Sequence, residues 1–456
     1  MIHNNWLTLS ETTLIELEQS ADEGRDVMAY ADEARLLHDA FLHGQRREDD
    51  ARRLLERIRC APLGVEENRH EPSTLEEIKR DRPIDPDIVS PPKPTRAVYE
   101  DKVYGAWLGR CCGCLLGQPV EGWRRARITG LLRETDNYPI ARYISSDIGA
   151  ALREKYGIKD DGHVYGSLKI NWVNNITCMP EDDDTNYTVI ALKIMERYGR
   201  AFTSDDVAQT WLQALPALRA CTAERAAYRN LLNGIWPPLS ADRDNAYREW
   251  IGAQIRADFW GYINPGDPTT AAEYAWRDAR VSHVKNGIYG AMFCAAMLAH
   301  AAVSDNVEDL IARGVDEIPG DSRLTEGINQ VFEWRNDRNR TRTWEDVIER
   351  LHQQYNEKNP YHWGHTIPNA MICAIALLWG ERDLAKTIGI AVSAGFDTDC
   401  NGATTGSIIG MLHGARQLPS AWTAPLNDGL KSGIDGFGQV KISELAQRTA
   451  DLAYAE

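Results

Sequence analysis

Apolar positions along the chain follow helical spacing almost throughout. In "TNYTVIALKIMERYG", Ile190 and Ile194 are four apart, and Val189, Leu192 and Met195 are three apart. So broad an apolar surface predicts a helix buried on most sides. "IPNAMICAIALLWG" and "GIYGAMFCAAMLAHAA" are apolar nearly all round and rich in Ala and Met, which predicts central helices of a large bundle. Alternating strand patterns are scarce. The expected fold is all-α, a compact orthogonal multi-helix bundle.

Residues 1–95 read differently. "LIELEQSADEG" and "MAYADEARLLHDAFLHGQRREDDARRLLERIR" carry helical spacing under heavy charge. Ser73 stands three residues before Glu76, a capping-box signature for one more short helix. "RPIDPDIVSPPKPTR" is a proline-rich linker. This segment is expected to be a small helical extension with solvated charged faces, ahead of a main domain spanning 96–456.

Two glycine series punctuate the main domain: Gly105, Gly109, Gly113, Gly117 and Gly402, Gly406, Gly410, Gly414. Residues four apart share a helix face. Each Gly costs a helix about 1 kcal/mol against Ala. Such faces predict two helices packed backbone to backbone near the centre. Arg110 and the polar flanks exclude a membrane-embedded pair.

Composition narrows the function classes. The 456 residues are 43% hydrophobic and 26% charged, with formal net charge -16. That excludes a general nucleic-acid binder, which needs clustered Lys and Arg. The nine cysteines, three of them in "RCCGC", lack the paired spacing of zinc sites and read as buried, reduced thiols. The N-terminal stretch has no signal-peptide pattern, and no apolar run approaches the roughly 20 residues that span a bilayer. A cytoplasmic protein with no membrane partner is expected; the pattern leaves the oligomeric state open.

Two acidic clusters carry the candidate chemistry. "EDDDT" (Glu181, Asp182, Asp183, Asp184, Thr185) opens the buried helix quoted above. One or two acids suit a helix N-terminus, but four in a row repel one another unless a cation joins them. "FDTDC" places Asp397 and Asp399 two apart, then Cys400, at the start of the second glycine helix. Together they suggest an oxygen-rich site for one or two Mg²⁺ ions, with Mn²⁺ or Ca²⁺ also suited. Weaker candidates are "GAQIR" (Gly252–Arg256), either a phosphate-binding turn or a plain helix start. His283 and His365 line a cleft or pack in the core, and Tyr361, His362 and Trp363 stack on a base or pack. The basic run "RNDRNRTRTW" reads as a solvated loop.

From about 100 to 450 the chain resembles the ADP-ribosylglycohydrolases. The resemblance rests on an ordered set: "GAWLGRCCGCLLGQPVEGW", "DDDT", "GAQIRADFWGYINPGDP", "DARVSH", "HTIPNAMICAIALL" and "GFDTDCNGATTGSIIGMLHGA". It implies an all-helical bundle around a two-metal cleft and cleavage of a glycosidic bond at C1″ of ADP-ribose. The substrate would be an ADP-ribosylated protein or a small ribosylated molecule. By the same resemblance Asp183, Asp184, Asp397 and Asp399 match metal ligands, and Asp182 and Cys400 stand at positions usually held by hydroxyl ligands. Glu121 matches the acid after the first glycine helix, and Glu121, Asp183 and Asp399 are the implied catalytic carboxylates. Gly252, Arg256, His283 and Tyr361 are the implied substrate contacts. Cys114 replaces the aspartate of the family's Gly-Asp-Ala-Leu-Gly. These departures suggest a divergent branch, with two other readings: an N-glycosidase of a free nucleoside or small riboside, and a non-catalytic ADP-ribose binder.

Overall fold

A computed structural model describes residues 6–64, 70–83, 91–164, 167–337, 340 and 342–455. Part of the proline-rich linker (84–90) and of the basic run (338, 339 and 341) lies outside the described residues. Among the described residues the chain forms 23 α-helices and two small antiparallel strand pairs, Asp161–Val164 with Ser167–Lys169 and Gly429–Lys431 with Gln439–Lys441. The fold is all-α. The apolar stretches become the helices Asp183–Tyr198, Lys285–Ala301 and Thr366–Trp379, each buried along nearly its whole length.

The centre is the pair of glycine helices, Arg96–Gly117 and Thr398–His413, which run antiparallel with Gly105 opposite Gly410, Gly109 opposite Gly406 and Gly113 opposite Gly402. A Cβ added at Gly113 would lie 1.8 Å from the Gly402 carbonyl oxygen, and one at Gly109 would lie 2.0 Å from that of Gly406. The glycines thus trade helix propensity for backbone contact. Cys111, Cys112 and Cys114 are buried along the same helix.

The extension departs from expectation in two respects. The charged faces of Ala31–Leu42 and Glu48–Arg59 are largely solvated, as expected, but one face of Leu9–Asp22 is not. Glu16, Gln19 and Ser20 on the helix Leu9–Asp22 have no exposed surface. Arg248 of the main body binds Glu16 and Glu23, each at 2.9 Å, and Arg59 adds a second contact to Glu16 at 2.9 Å. A buried charge is tolerated only when paired in this way. The predicted capping box also does not form, and the helix starts one residue later than predicted, with no side-chain cap on its backbone. Thr74 is the N-cap of Leu75–Arg80, and its hydroxyl donates to the Glu77 carboxylate at 2.6 Å. Ser73 instead accepts a hydrogen bond from the Lys285 backbone N–H at 3.0 Å. That helix packs on the main body: Ile78 is part of the main core, and Glu71 binds Arg323 at 2.7 Å.

Candidate active site

Three chain segments deliver the acidic residues to one place. The first glycine helix ends at Gly117, and a single 3-10 turn, Gln118–Val120, leads to Glu121. The second glycine helix begins just after Asp397. Backbone contact between the two brings these ends together, and the Thr398 hydroxyl donates to the Gly117 carbonyl at 2.9 Å. The third segment is the start of Asp183–Tyr198. Its N-cap is Asp182, whose Oδ1 accepts from the Asp184 N–H at 3.0 Å.

The surrounding side chains fix these acids in place. Gln118 Nε2 donates to Asp182 Oδ2 at 2.5 Å, and Asn171 holds Gln118 Oε1 at 2.8 Å. Both oxygens of Asp182 are therefore engaged by the protein. Arg110, fully buried, lies between Asp184 and Asp258, at 3.1 Å and 2.9 Å. Asn369 Oδ1 accepts from the Asp397 N–H at 3.3 Å and from Asn401 Nδ2 at 2.8 Å. Glu181 is drawn away by Arg219, at 2.6 Å and 3.1 Å, so the fourth acid of the run has its own partner.

Potential donor atoms converge in three overlapping groups, each within 4.8 Å: Cys114, Asp182 and Asp184; Asp184, Asp399 and Cys400; Glu121, Asp397 and Asp399. Asp184 and Asp399 each belong to two of them. Asp184 Oδ2, Asp397 Oδ1 and Asp399 Oδ1 are buried oxygens that meet no hydrogen-bond donor. A buried carboxylate oxygen left without a donor is costly. Burial and mutual repulsion hold the carboxyls of Asp183 and Asp399 well above the usual range. Burial does the same to Asp184 against the pull of Arg110. Glu121 is exposed as a residue, but its carboxyl is turned into the cluster, where burial and the charges of Asp397 and Asp182 push it up to about 8. Orphaned oxygens on converging, mutually repelling acids fit a hard cation. The thiols fit it less well: burial raises both Cys114 and Cys400 far above the ordinary thiol value, leaving neutral sulfurs.

The acids open into a cavity of about 1320 Å³, whose walls include Glu121, Asp183, Asp397, Asp399 and Cys400. Gly252 and Tyr361 also line it. Three other candidates face elsewhere. The Arg256 guanidinium is 1% exposed, paired with Glu224 at 2.6 Å and Asp278 at 2.8 Å, so its charge is spent inside the core. Gly252 assists that packing, since a Cβ there would meet Glu224 Oε1 at 2.2 Å. His283 is fully buried, its Nδ1 lies 2.8 Å from Ser282 Oγ, and burial holds it neutral. His365 is also buried and caps the helix Thr366–Trp379.

Sequence reasoning missed Gln118, Arg110, Asn369 and Asp258, which orient the acids. The charge of Arg110 inside a glycine series was a signal for a buried counter-ion. It also missed that the extension supplies part of the cavity wall, including Trp6, Glu11, Leu14, Glu18 and Phe41.

Comparison with known proteins accords with this architecture. The family model for ADP-ribosylglycohydrolase matches residues 95–455. A solved structure, "ADP-ribosylglycohydrolase-related protein complex", is similar in fold at TM-score 0.50 and 19% identity, covering 78% of this chain and 98% of its own. No curated protein matches the chain. No described helix is long and apolar enough to cross a membrane. With the family match spanning both glycine helices and both acidic clusters, the chain belongs to the ADP-ribosylglycohydrolase family.

Proposed function

We propose that this protein is a divalent-cation-dependent hydrolase of a ribosyl glycosidic bond, with an ADP-ribosylated side chain or another ADP-ribose conjugate as substrate. One observation carries the reading: three orphaned carboxylate oxygens, on Asp184, Asp397 and Asp399, converge beside a large cavity from helix starts more than two hundred residues apart. Glu121, Asp397 and Asp399 offer the all-oxygen set suited to Mg²⁺, with Asp184 beside them and Mn²⁺ or Ca²⁺ as substitutes. A bound cation would orient the ribose hydroxyls and lower the pKa of a coordinated water.

The chain's own groups have distinct tasks. Asp182 binds Gln118 and the Asp184 N–H, so it sets the direction of the acidic run. Asp183 and Glu121 face the cavity, where carboxylates can stabilise oxocarbenium-like charge at the anomeric carbon and transfer a proton to or from the leaving group and water. Arg110 fixes Asp184 in place in the dry interior and opposes the effect of burial on its carboxyl.

A second reading, hydrolysis of a free nucleoside or small riboside, draws support from the cavity charge. Among the described lining residues the only guanidinium is that of Arg219, already held by Glu181. A diphosphate would find little cationic complement there. Incubation with Mg²⁺ and either ADP-ribosylated protein or nucleosides separates the two readings. Release of ADP-ribose with no action on nucleosides favours the first. No turnover of either, with and without added cation, removes both and leaves a non-catalytic ADP-ribose binder.

A further inference from the structure

The wall that the N-terminal extension adds to the cavity has a chemistry of its own. It lies outside the family match, which begins at residue 95. From the extension come Trp6, Leu14, Ile15 and Phe41, with Glu11 and Glu18 among them. The main body adds Trp250, Tyr361 and Trp363 to the same lining. This surface belongs to the folded unit. Ile15 packs in one buried cluster with Tyr247, Trp250 and Tyr361, with Trp6 against it. Tyr361 donates to Asp22 at 2.8 Å, and Asn359 to Glu18 at 2.6 Å. The Arg248 pairs with Glu16 and Glu23 hold the helix down from below.

The two acids on this wall are satisfied by neutral donors. Glu11 accepts from the Trp6 N–H at 2.9 Å, and Glu18 from the Asn359 amide. Two carboxyls on this wall suit a neutral or cationic group better than an anion. Aromatic and aliphatic side chains around them suit a flat ring. Leu42 and Leu168, 65% and 71% exposed, continue the apolar surface at the cavity wall.

We propose that the extension forms an aglycone subsite: its Trp6, Leu14 and Phe41, with Trp363 of the main body, receive an aromatic, non-anionic leaving group attached to the ribose held at the carboxylate cluster. This rests on the ribosyl-hydrolase reading and names the substrate class of that site. ADP-ribose, which carries only a hydroxyl at C1″, does not use the wall.

The test uses the full-length protein with Mg²⁺ and compares wild type, Phe41→Ala, Leu14→Ala and the conservative Phe41→Leu, each checked for an unchanged melting profile. The probes are p-nitrophenyl ribofuranoside in both anomers, nicotinamide riboside and ADP-ribose. Binding is read by calorimetry, so the result does not depend on turnover. KM and kcat are read wherever turnover occurs. Affinity for the aromatic ribosides is expected to fall about tenfold in Phe41→Ala and to recover in Phe41→Leu. KM should follow with kcat little changed, and ADP-ribose binding should stay within twofold. An equal loss for ADP-ribose overturns the proposal and assigns the wall to the adenylate end. Unchanged affinity for every probe overturns it as well, and so does failure of wild type to bind the aromatic ribosides. Tight binding of those ribosides without hydrolysis leaves the wall standing and removes the hydrolase reading instead.

Discussion

Replacing Gly109 with Ala tests whether the two central helices touch through their backbones. In an ordinary helix that change would stabilise by about 1 kcal/mol. Here the new Cβ would lie 2.0 Å from the Gly406 carbonyl oxygen and 2.8 Å from its carbon. Carbon and oxygen do not approach closer than roughly 3 Å without strain, so the helices must part by about 1 Å. The obstacle is backbone, which no rotamer change can move aside. Parting also loosens the contacts at Gly105 and Gly113, where the corresponding distances are 2.3 Å and 1.8 Å. Overpacking typically costs 1–3 kcal/mol and occasionally more. With so short a backbone contact the upper end applies, and subtracting the propensity gain leaves a net loss of about 2 kcal/mol or more. Urea denaturation followed by tryptophan fluorescence reads the difference. Gly149→Ala is the control, because a Cβ there meets nothing within 4 Å and only the helix N-cap is affected, at a cost of about 1 kcal/mol or less. Gly109→Ala matching that control would refute backbone contact as the reason for the glycine series.

The remaining predictions concern charge and the candidate cation site. Arg248→Ala leaves Glu16 buried with Arg59 alone, a loss of roughly 3–5 kcal/mol from the docked extension, seen as faster proteolysis within residues 9–59. Acid should loosen the same contact. Burial opposes the charge on Glu23, but Arg248 and Lys285 outweigh it and hold the carboxyl at about 2, below the unfolded value of about 4.3. A depressed folded pKa gives stability that is present above pH ~4.3 and lost as pH falls toward 2. Hydrogen exchange in Leu9–Asp22 should quicken across that window, and Glu23→Gln should remove this part of the pH dependence. Cys400→Ser should keep or improve Mg²⁺ affinity by calorimetry, since a hydroxyl replaces a neutral thiol; zinc in the purified protein that disappears in this variant would instead indicate a thiolate site.

The helical class was legible because period-3.6 apolar spacing needs no tertiary knowledge, as in Asp183–Tyr198. The glycine pairing was legible because a repeated propensity penalty demands a packing reason. The two acidic clusters were legible as like-charge runs at helix starts. Other features were not. Arg256 follows Gly252 at a spacing that also suits a phosphate turn, and only burial against Glu224 and Asp278 distinguishes the two. The buried charges of Leu9–Asp22 looked solvated because partners such as Arg248 and Asn359 lie more than two hundred residues away. Ser73 and Thr74 are both competent caps, and the choice between them depends on the Lys285 N–H, which local sequence does not reveal.

The central claim is that the converging aspartates hold a hard cation on which hydrolysis depends. The most direct measurement is Mg²⁺ titration calorimetry on metal-stripped wild type and Asp397→Asn, paired with ADP-ribose release from an ADP-ribosylated substrate. The account predicts Mg²⁺ binding and cation-restored turnover in wild type, with both reduced at least a hundredfold in Asp397→Asn. Full turnover by the metal-stripped enzyme, or equal Mg²⁺ affinity in the two proteins, would contradict it.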